Sequence, residues 1–382
     1  MNTFHGDRLK KARLYRGLTV EELAEKINVS KQTISQYENE KIIPSFEKIL
    51  ALINNLSFPY EYFYQEDDVK IELKSVYFRS LLKTSKKHRT EQCIKIEHLA
   101  SIYSFLSDYI NFPKLNLPQN LEYSSPIEAA RFIRDFWGLG EKPILNLINI
   151  IEANGLIVTT FPTSTDEIDA FSQLVTINGE DVYLIVLSSN KKAAVRSNFD
   201  IAHELGHILL HEWSEDIESL SREQFRQREK EANQFAAEFL LPREYFLKNI
   251  IRDYASKINY YVSIKEKWHV SIAAMIHRAC DLDIINQNQY QYMMRIMQKK
   301  GWRKKEPLDE KIVNHEPSLL IDAVRLLFDN NVFTASDFVT QLSNKGLAME
   351  ACEIENLLNL PKGMLSLFNE KVIQFPSIKL KQ

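Results

Sequence analysis

Asp200-Ile-Ala-His-Glu-Leu-Gly-His-Ile-Leu-Leu-His211 sets His203, Glu204 and His207 inside an otherwise apolar run. On a helix, positions four apart share a face, so both imidazoles can point at one metal ion. Glu204 follows the first histidine, beside an open coordination position, where it can take a proton from an attacking water. Ile201, Ala202, Leu205, Ile208 and Leu209 would bury the helix and hold the ligands rigid. A surface helix carrying two histidines is the bland alternative. Against it, unpaired His and Glu are costly to bury among apolar flanks without partners or a metal.

Two histidines leave a tetrahedral zinc ion short of a third protein ligand. A longer HExxHxxGxxH pattern would need histidine at position 213, where Trp213 stands. His211 lies one turn beyond His207 on the same side, too far along to join the same ion, and reads as a supporting or packing residue. The third ligand is expected in Glu229-Lys-Glu-Ala-Asn-Gln-Phe-Ala-Ala-Glu-Phe-Leu-Leu-Pro242, a buried helix ending before its proline. Acidic residues entering such a helix are costly unless they bind something. Glu229 leads the face and is preferred, with Glu231 as its competitor. Asn233, four residues after Glu229, would support the carboxylate or a histidine from behind. His269 and His277 are candidates for stabilising a developing oxyanion, although each reads more readily as structural.

Upstream, Leu156–Thr160 reads as a strand after Gly155. Asp169–Ile177 and Val182–Leu187 flank Asn178-Gly179 as a hairpin. An edge strand beside a zinc-peptidase helix holds the substrate backbone by strand addition, and either run could serve. Asp169-Ala-Phe-Ser172 reads as structural, and Ser188-Ser-Asn190 is expected to cap the metal helix. Helices are expected near 90–111 and 126–137.

The first 65 residues have a different organisation. Leu9, Ala12 and Leu14 mark one helix, closed by Gly17. Thr19 with Glu22 forms a capping box for a second, and Ser30 caps a third, Lys31–Glu38. Two short helices, a tight turn and a polar second helix make a helix-turn-helix. The outward face of the third helix offers Lys31, Gln32, Thr33, Ser35 and Gln36, and glutamine can pair with adenine in the major groove. Through Tyr64 there are nine Lys/Arg against eight Asp/Glu. A single copy should therefore hold phosphates weakly, and a homodimer on a two-fold double-stranded operator is expected.

Composition bounds the rest. The 382 residues allow two or three domains. Hydrophobic and charged contents of 45% and 26% are those of an ordinary globular protein, and few glycines among many Leu and Ile favour helices. A net charge of −3 exerts no general pull on nucleic acid. Cys93, Cys280 and Cys352 lie far apart, as in a reducing compartment. The N-terminus lacks a signal-peptide core, and no run is long and apolar enough to span a bilayer. The expected location is cytoplasmic, with no membrane partner.

Leu18-Thr-Val-Glu-Glu-Leu-Ala24, Val29-Ser-Lys-Gln-Thr-Ile-Ser-Gln-Tyr-Glu-Asn39 and Pro44-Ser45 before a fourth helix resemble the Cro/C1-type (XRE) DNA-binding domain. Phe199-Asp-Ile-Ala-His-Glu-Leu-Gly-His207 and Glu229–Pro242 resemble the ImmA/IrrE metallopeptidases, gluzincin-like proteins often fused to an XRE domain. That likeness runs from Tyr77-Phe-Arg-Ser80 through Lys267-Trp-His-Val-Ser-Ile272 to Gly301-Trp-Arg303. It implies a Zn2+-dependent metalloendopeptidase that cuts a protein such as a transcriptional repressor. Two other readings stand beside it: a non-proteolytic transcription factor whose metal domain senses or scaffolds, and an antitoxin-like regulator.

The expected fold is mainly α with a small α+β metallopeptidase domain. Residues 1–65 form the helix-turn-helix bundle and 66–125 a helical connector. Residues 126–300 form the peptidase domain, with a zincin-like centre and a short β-sheet. Residues 301–382 form a helical C-terminal domain to which no chemistry is assigned.

Overall fold

The computed structural model describes residues 3–66, 69–78, 85–118, 123–162, 169–189, 194–213 and 220–366. The chain divides into two compact units. One comprises Met1–Val69, Cys93–Ile110 and Leu320–Gln382, the other Lys70–Gln92 and Asn111–Leu319. The expected connector and C-terminal region are thus each shared between the two. Among the described residues, no helix is long and apolar enough to cross a membrane.

The first unit begins with α1 (Gly6–Tyr15), α2 (Val20–Lys26), α3 (Lys31–Glu38) and α4 (Phe46–Leu56). The predicted starts recur as hydrogen bonds. Thr19 and Glu22 exchange side-chain and backbone bonds ahead of α2, and the Ser30 hydroxyl accepts from Thr33 N ahead of α3. A Cβ on Gly6 would lie 2.4 Å from the Tyr37 carbonyl oxygen, so only glycine lets α1 approach the end of α3 this closely. Arg13 clamps Glu38 with two bonds of 2.6 and 3.0 Å, both side chains nearly buried.

The same unit takes in the later part of α5 (Lys86–Ser107) and the helices α14 (Leu319–Asp329), α15 (Ala335–Asn344) and α16 (Ala351–Leu358). These late helices meet the start of the chain. Glu353 accepts from Tyr15 Oη at 2.9 Å and from Arg16 Nη1 at 2.7 Å. Buried Arg8 donates to the Gly346 carbonyl at 2.8 Å. Tyr62 Oη and His98 Nε2, 2.8 Å apart, tie the bundle to α5.

The second unit is built on a four-stranded sheet of order β1-β3-β4-β2, from β1 (Ile71–Phe78), β2 (Ile157–Phe161), β3 (Ala170–Ile177) and β4 (Glu180–Ser188). β3 and β4 form the expected hairpin, with Asn178 and Gly179 both at positive φ as a two-residue turn requires. β2 runs parallel to β4, whereas β1 lies antiparallel to β3. Both runs considered for holding a substrate backbone are therefore interior strands, and β1 and β2 form the edges. That expectation is corrected by pairing partners distant in sequence, which local alternation does not reveal.

Around the sheet lie α6 (Pro126–Phe136), α7 (Leu147–Ala153), α8 (Ala194–Leu210) and α9 (Arg222–Leu240). They are followed by α10 (Arg243–Asn249), α11 (Ile258–Trp268), α12 (Ile272–Asp281) and α13 (Gln287–Lys299). Ile201, Ala202 and Leu205 of α8 share one core with Phe235, Ala236 and Phe239 of α9. Residue 190 of the expected cap before α8 lies outside the described residues.

Candidate metal centre

α8 carries His203, Glu204 and His207, and all three are buried to within 1%. A Cβ on Gly206 would lie 3.1 Å from Phe235 Cδ1 and 3.2 Å from Ala232 Cα. Glycine here therefore lets α8 and α9 cross in close contact. That crossing brings Glu229, near the middle of α9, to the two histidines.

His203 Nε2 and His207 Nε2 are 3.0 Å apart. Glu229 Oε1 lies 3.2 Å from His207 Nε2, and Oε2 lies 3.6 Å from His203 Nε2. Four-coordinate zinc has bonds of about 2.0–2.1 Å, so its donors stand roughly 3.3 Å apart. The three separations bracket that value, and the set of two imidazoles and one carboxylate is one that zinc takes. In a second cluster, His5, Asp7 and Glu40, both carboxylates are exposed and His5 is half-buried.

Electrostatics prepares the donors. Burial pushes the His207 imidazole down to about 4, with the hydrogen bond to Glu229 opposing and the neighbouring His203 assisting. Burial alone would raise the Glu229 carboxyl, but the bonds and charges of His203 and His207 outweigh it and bring the group to about 2. Near neutral pH the site is therefore a carboxylate beside a neutral imidazole, the state in which both bind a cation.

The two acidic competitors part company. Glu231 Oε2 lies 3.1 Å from His211 Nε2, while His211 Nδ1 lies 2.9 Å from His207 Nδ1. His211 thus supports His207 from behind, and Glu231 supports His211. Gln227 donates to the other Glu231 oxygen at 2.8 Å. Burial, then the charge of His207, lowers the His211 imidazole to about 4. Asn233 differs from its expected part. Its amide donates to the Glu229 backbone carbonyl at 2.7 Å, because a short side chain four residues on bonds the helix more easily than the carboxylate.

Ser172, in the stretch Asp169-Ala-Phe-Ser172 that reads as structural from the sequence, touches a candidate site residue. From β3 its hydroxyl donates to Glu204 Oε2 at 2.6 Å, both side chains being fully buried. The only hint was its place in a β-run; nothing in its spacing points to a residue 32 positions away.

A cavity of 1180 Å³ opens beside Glu229. His277 lines it, paired with Asp281 at 2.9 Å, whereas His269 does not. The proposed DNA-facing residues all lie on α3, where Lys31, Gln32, Ser35 and Gln36 are exposed. Thr33 is half-buried, and its hydroxyl and that of Ser30 are 2.9 Å apart at the helix cap.

The folds and sites together describe a helix-turn-helix module and a two-helix candidate metal centre in a single chain. Residues 9–63 match the helix-turn-helix family, and residues 152–279 match the IrrE N-terminal-like domain of the M78 peptidases. The chain therefore joins an XRE-type helix-turn-helix to an IrrE-like peptidase domain. The matched peptidase region is shorter than the likeness read from the sequence. No curated protein matches the chain. A solved structure of Bacillus thuringiensis PlcR, in complex with the peptide PapR7 and DNA, aligns over 81% of this chain and 99% of its own. Its identity is 13% and its TM-score 0.15, too low to bear on the fold.

Proposed function

We propose that the protein is a DNA-binding transcription regulator whose second unit is a zinc metalloendopeptidase acting on a specific protein such as a repressor. The observation that carries this reading is the convergence of His203, His207 and Glu229 at 3.0–3.6 Å, with Glu204 next to His203 in the chain and buried like it. Those three residues would hold zinc, which when bound polarises the scissile carbonyl and acidifies water. Glu204 accepts the proton of the attacking water, and Ser172 fixes the Glu204 carboxylate. His211 and Glu231 orient His207. Residues Lys31, Gln32, Thr33, Ser35 and Gln36 of α3 would face a double-stranded operator, bound as a homodimer in the cytoplasm.

Substrate trapping tests the proteolytic claim. Glu204→Gln should keep the fold and the metal, abolish cleavage and retain the uncut partner. Unchanged cleavage by that variant would remove Glu204 from the mechanism. A second reading, metal sensing without proteolysis, draws on the full burial of His203 and Glu204. Stoichiometric zinc in the wild-type protein, with no partner cut by it and none retained by Glu204→Gln, would decide for that reading.

A further inference from the structure

The cavity beside Glu229 is lined by groups of both signs, but they are not equally engaged. Its carboxylates are taken up within the protein. Glu238, 2% exposed, accepts from Arg131 Nε at 2.8 Å and also pairs with Arg278. Glu306 accepts from the backbone N–H groups of Ile272 and Ala273 and pairs with Lys265 at 2.8 Å. Asp281 holds His277, and Glu229 faces the two metal-site histidines. Asp169 and Asp200, the remaining acidic lining residues, also have interactions of their own.

The cations behave oppositely. Arg196, Arg226, Lys230, Arg243 and Arg303 line the same cavity, and none has an ion-pair partner among the described residues. One Nη atom of Arg196 is buried without a hydrogen-bond partner. Arg226 and Lys230 stand one turn apart on α9, the helix that carries Glu229, and both are exposed. Seven Lys/Arg stand against six Asp/Glu in the lining, so it is the unpaired cations, not the net charge, that a ligand meets. Apolar Phe199, Met294 and Trp302 lie among these charges. A cleft lined by apolar side chains and by cations without ion-pair partners suits carboxylates on a flexible backbone.

We infer that this cleft recognises an acidic stretch of polypeptide, whose Asp or Glu side chains flank the bond presented to the metal centre. The inference rests on the peptidase reading of the site and supplies its substrate class. It distinguishes this cleft from a general peptide groove, because the selectivity comes from charge.

Binding can be read without turnover in the full-length, zinc-loaded Glu204→Gln protein, using fluorescence anisotropy. Three labelled peptides of one length and apolar content would carry glutamate, glutamine or lysine at the same three positions. The glutamate peptide should bind about tenfold tighter than the glutamine peptide or more, and lose that margin as salt rises. Adding Arg226→Glu and Arg303→Glu, both at exposed positions, should abolish the margin while leaving the melting temperature unchanged. Equal binding of the three peptides would overturn the inference, as would a margin that survives the charge reversals. Displacement of the glutamate peptide by a random-sequence DNA duplex would reassign the cleft to nucleic acid and also overturn it. Wild-type protein separates the two claims. Acidic peptides bound but never cut would count against the peptidase reading alone, and indifferent cutting of all three against the inference alone.

Discussion

Ser172 is the point at which the sheet reaches the metal helix, through a 2.6 Å bond to the Glu204 carboxylate. A hydrogen bond to a charged group contributes about 1.5–3 kcal/mol, and its loss would let the carboxylate turn away from the water it must deprotonate. Ser172→Ala should therefore lower kcat about tenfold or more while zinc content stays at one per chain. Unchanged turnover would show that Glu204 is positioned by other contacts. His207 and His211 give a pH signature to the metal-free protein. Both imidazoles are held near 4 in the folded state against 6.5 ordinarily, so the unfolded chain binds more protons between those values. Stability should be fully present above pH 6.5 and fall as pH drops toward 4. Denaturant melts of chelated protein across that range would check it; a flat profile contradicts the burial-driven depression.

At the scale of elements, the site depends on how closely α8 crosses α9. A methyl group at Gly206 would press on Phe235 and on the Ala232 backbone, so Gly206→Ala should move Glu229 away from the histidines. Overpacking of this kind costs about 1–3 kcal/mol, and a displaced ligand weakens metal binding roughly 10- to 100-fold. Zinc titration with a competing chelator and a thermal melt would read both effects; wild-type affinity would mean that the crossing tolerates the methyl. Much of this architecture was legible locally. His203 and His207 share a helical face by spacing alone, Thr19 with Glu22 announces a helix start, and Asn178-Gly179 announces a hairpin. What could not be read depends on partners distant in the chain. Glu229 and Glu231 are chemically alike, and only the rotation of α9 against α8 turns one to the metal-site histidines and the other to His211. The interior position of β3 follows from its pairing with β1, about a hundred residues earlier, and no periodicity within β3 encodes that.

For the whole molecule, α8 and α9 are held together by a shared apolar core rather than by the ligand side chains alone. Metal removal should leave the protein folded, unlike the small domains that need zinc to fold. Binding should then act as a simple ligand linkage, adding about 2.7 kcal/mol when free zinc is 100 times its Kd. Calorimetry of chelated and zinc-loaded protein would show a shifted but still cooperative transition; loss of the transition on chelation would make the metal structural.

The contacts of Glu353 with Tyr15 and Arg16, and of Arg8 with the Gly346 carbonyl, set an order on biosynthesis. The helix-turn-helix leaves the ribosome well before its partners on α16 and just before it, which come more than 300 residues later. At about 5–20 residues per second, that interval lasts roughly 15–60 s. Throughout it, a nascent chain has the whole peptidase-type unit to synthesise before its DNA-binding unit can be completed.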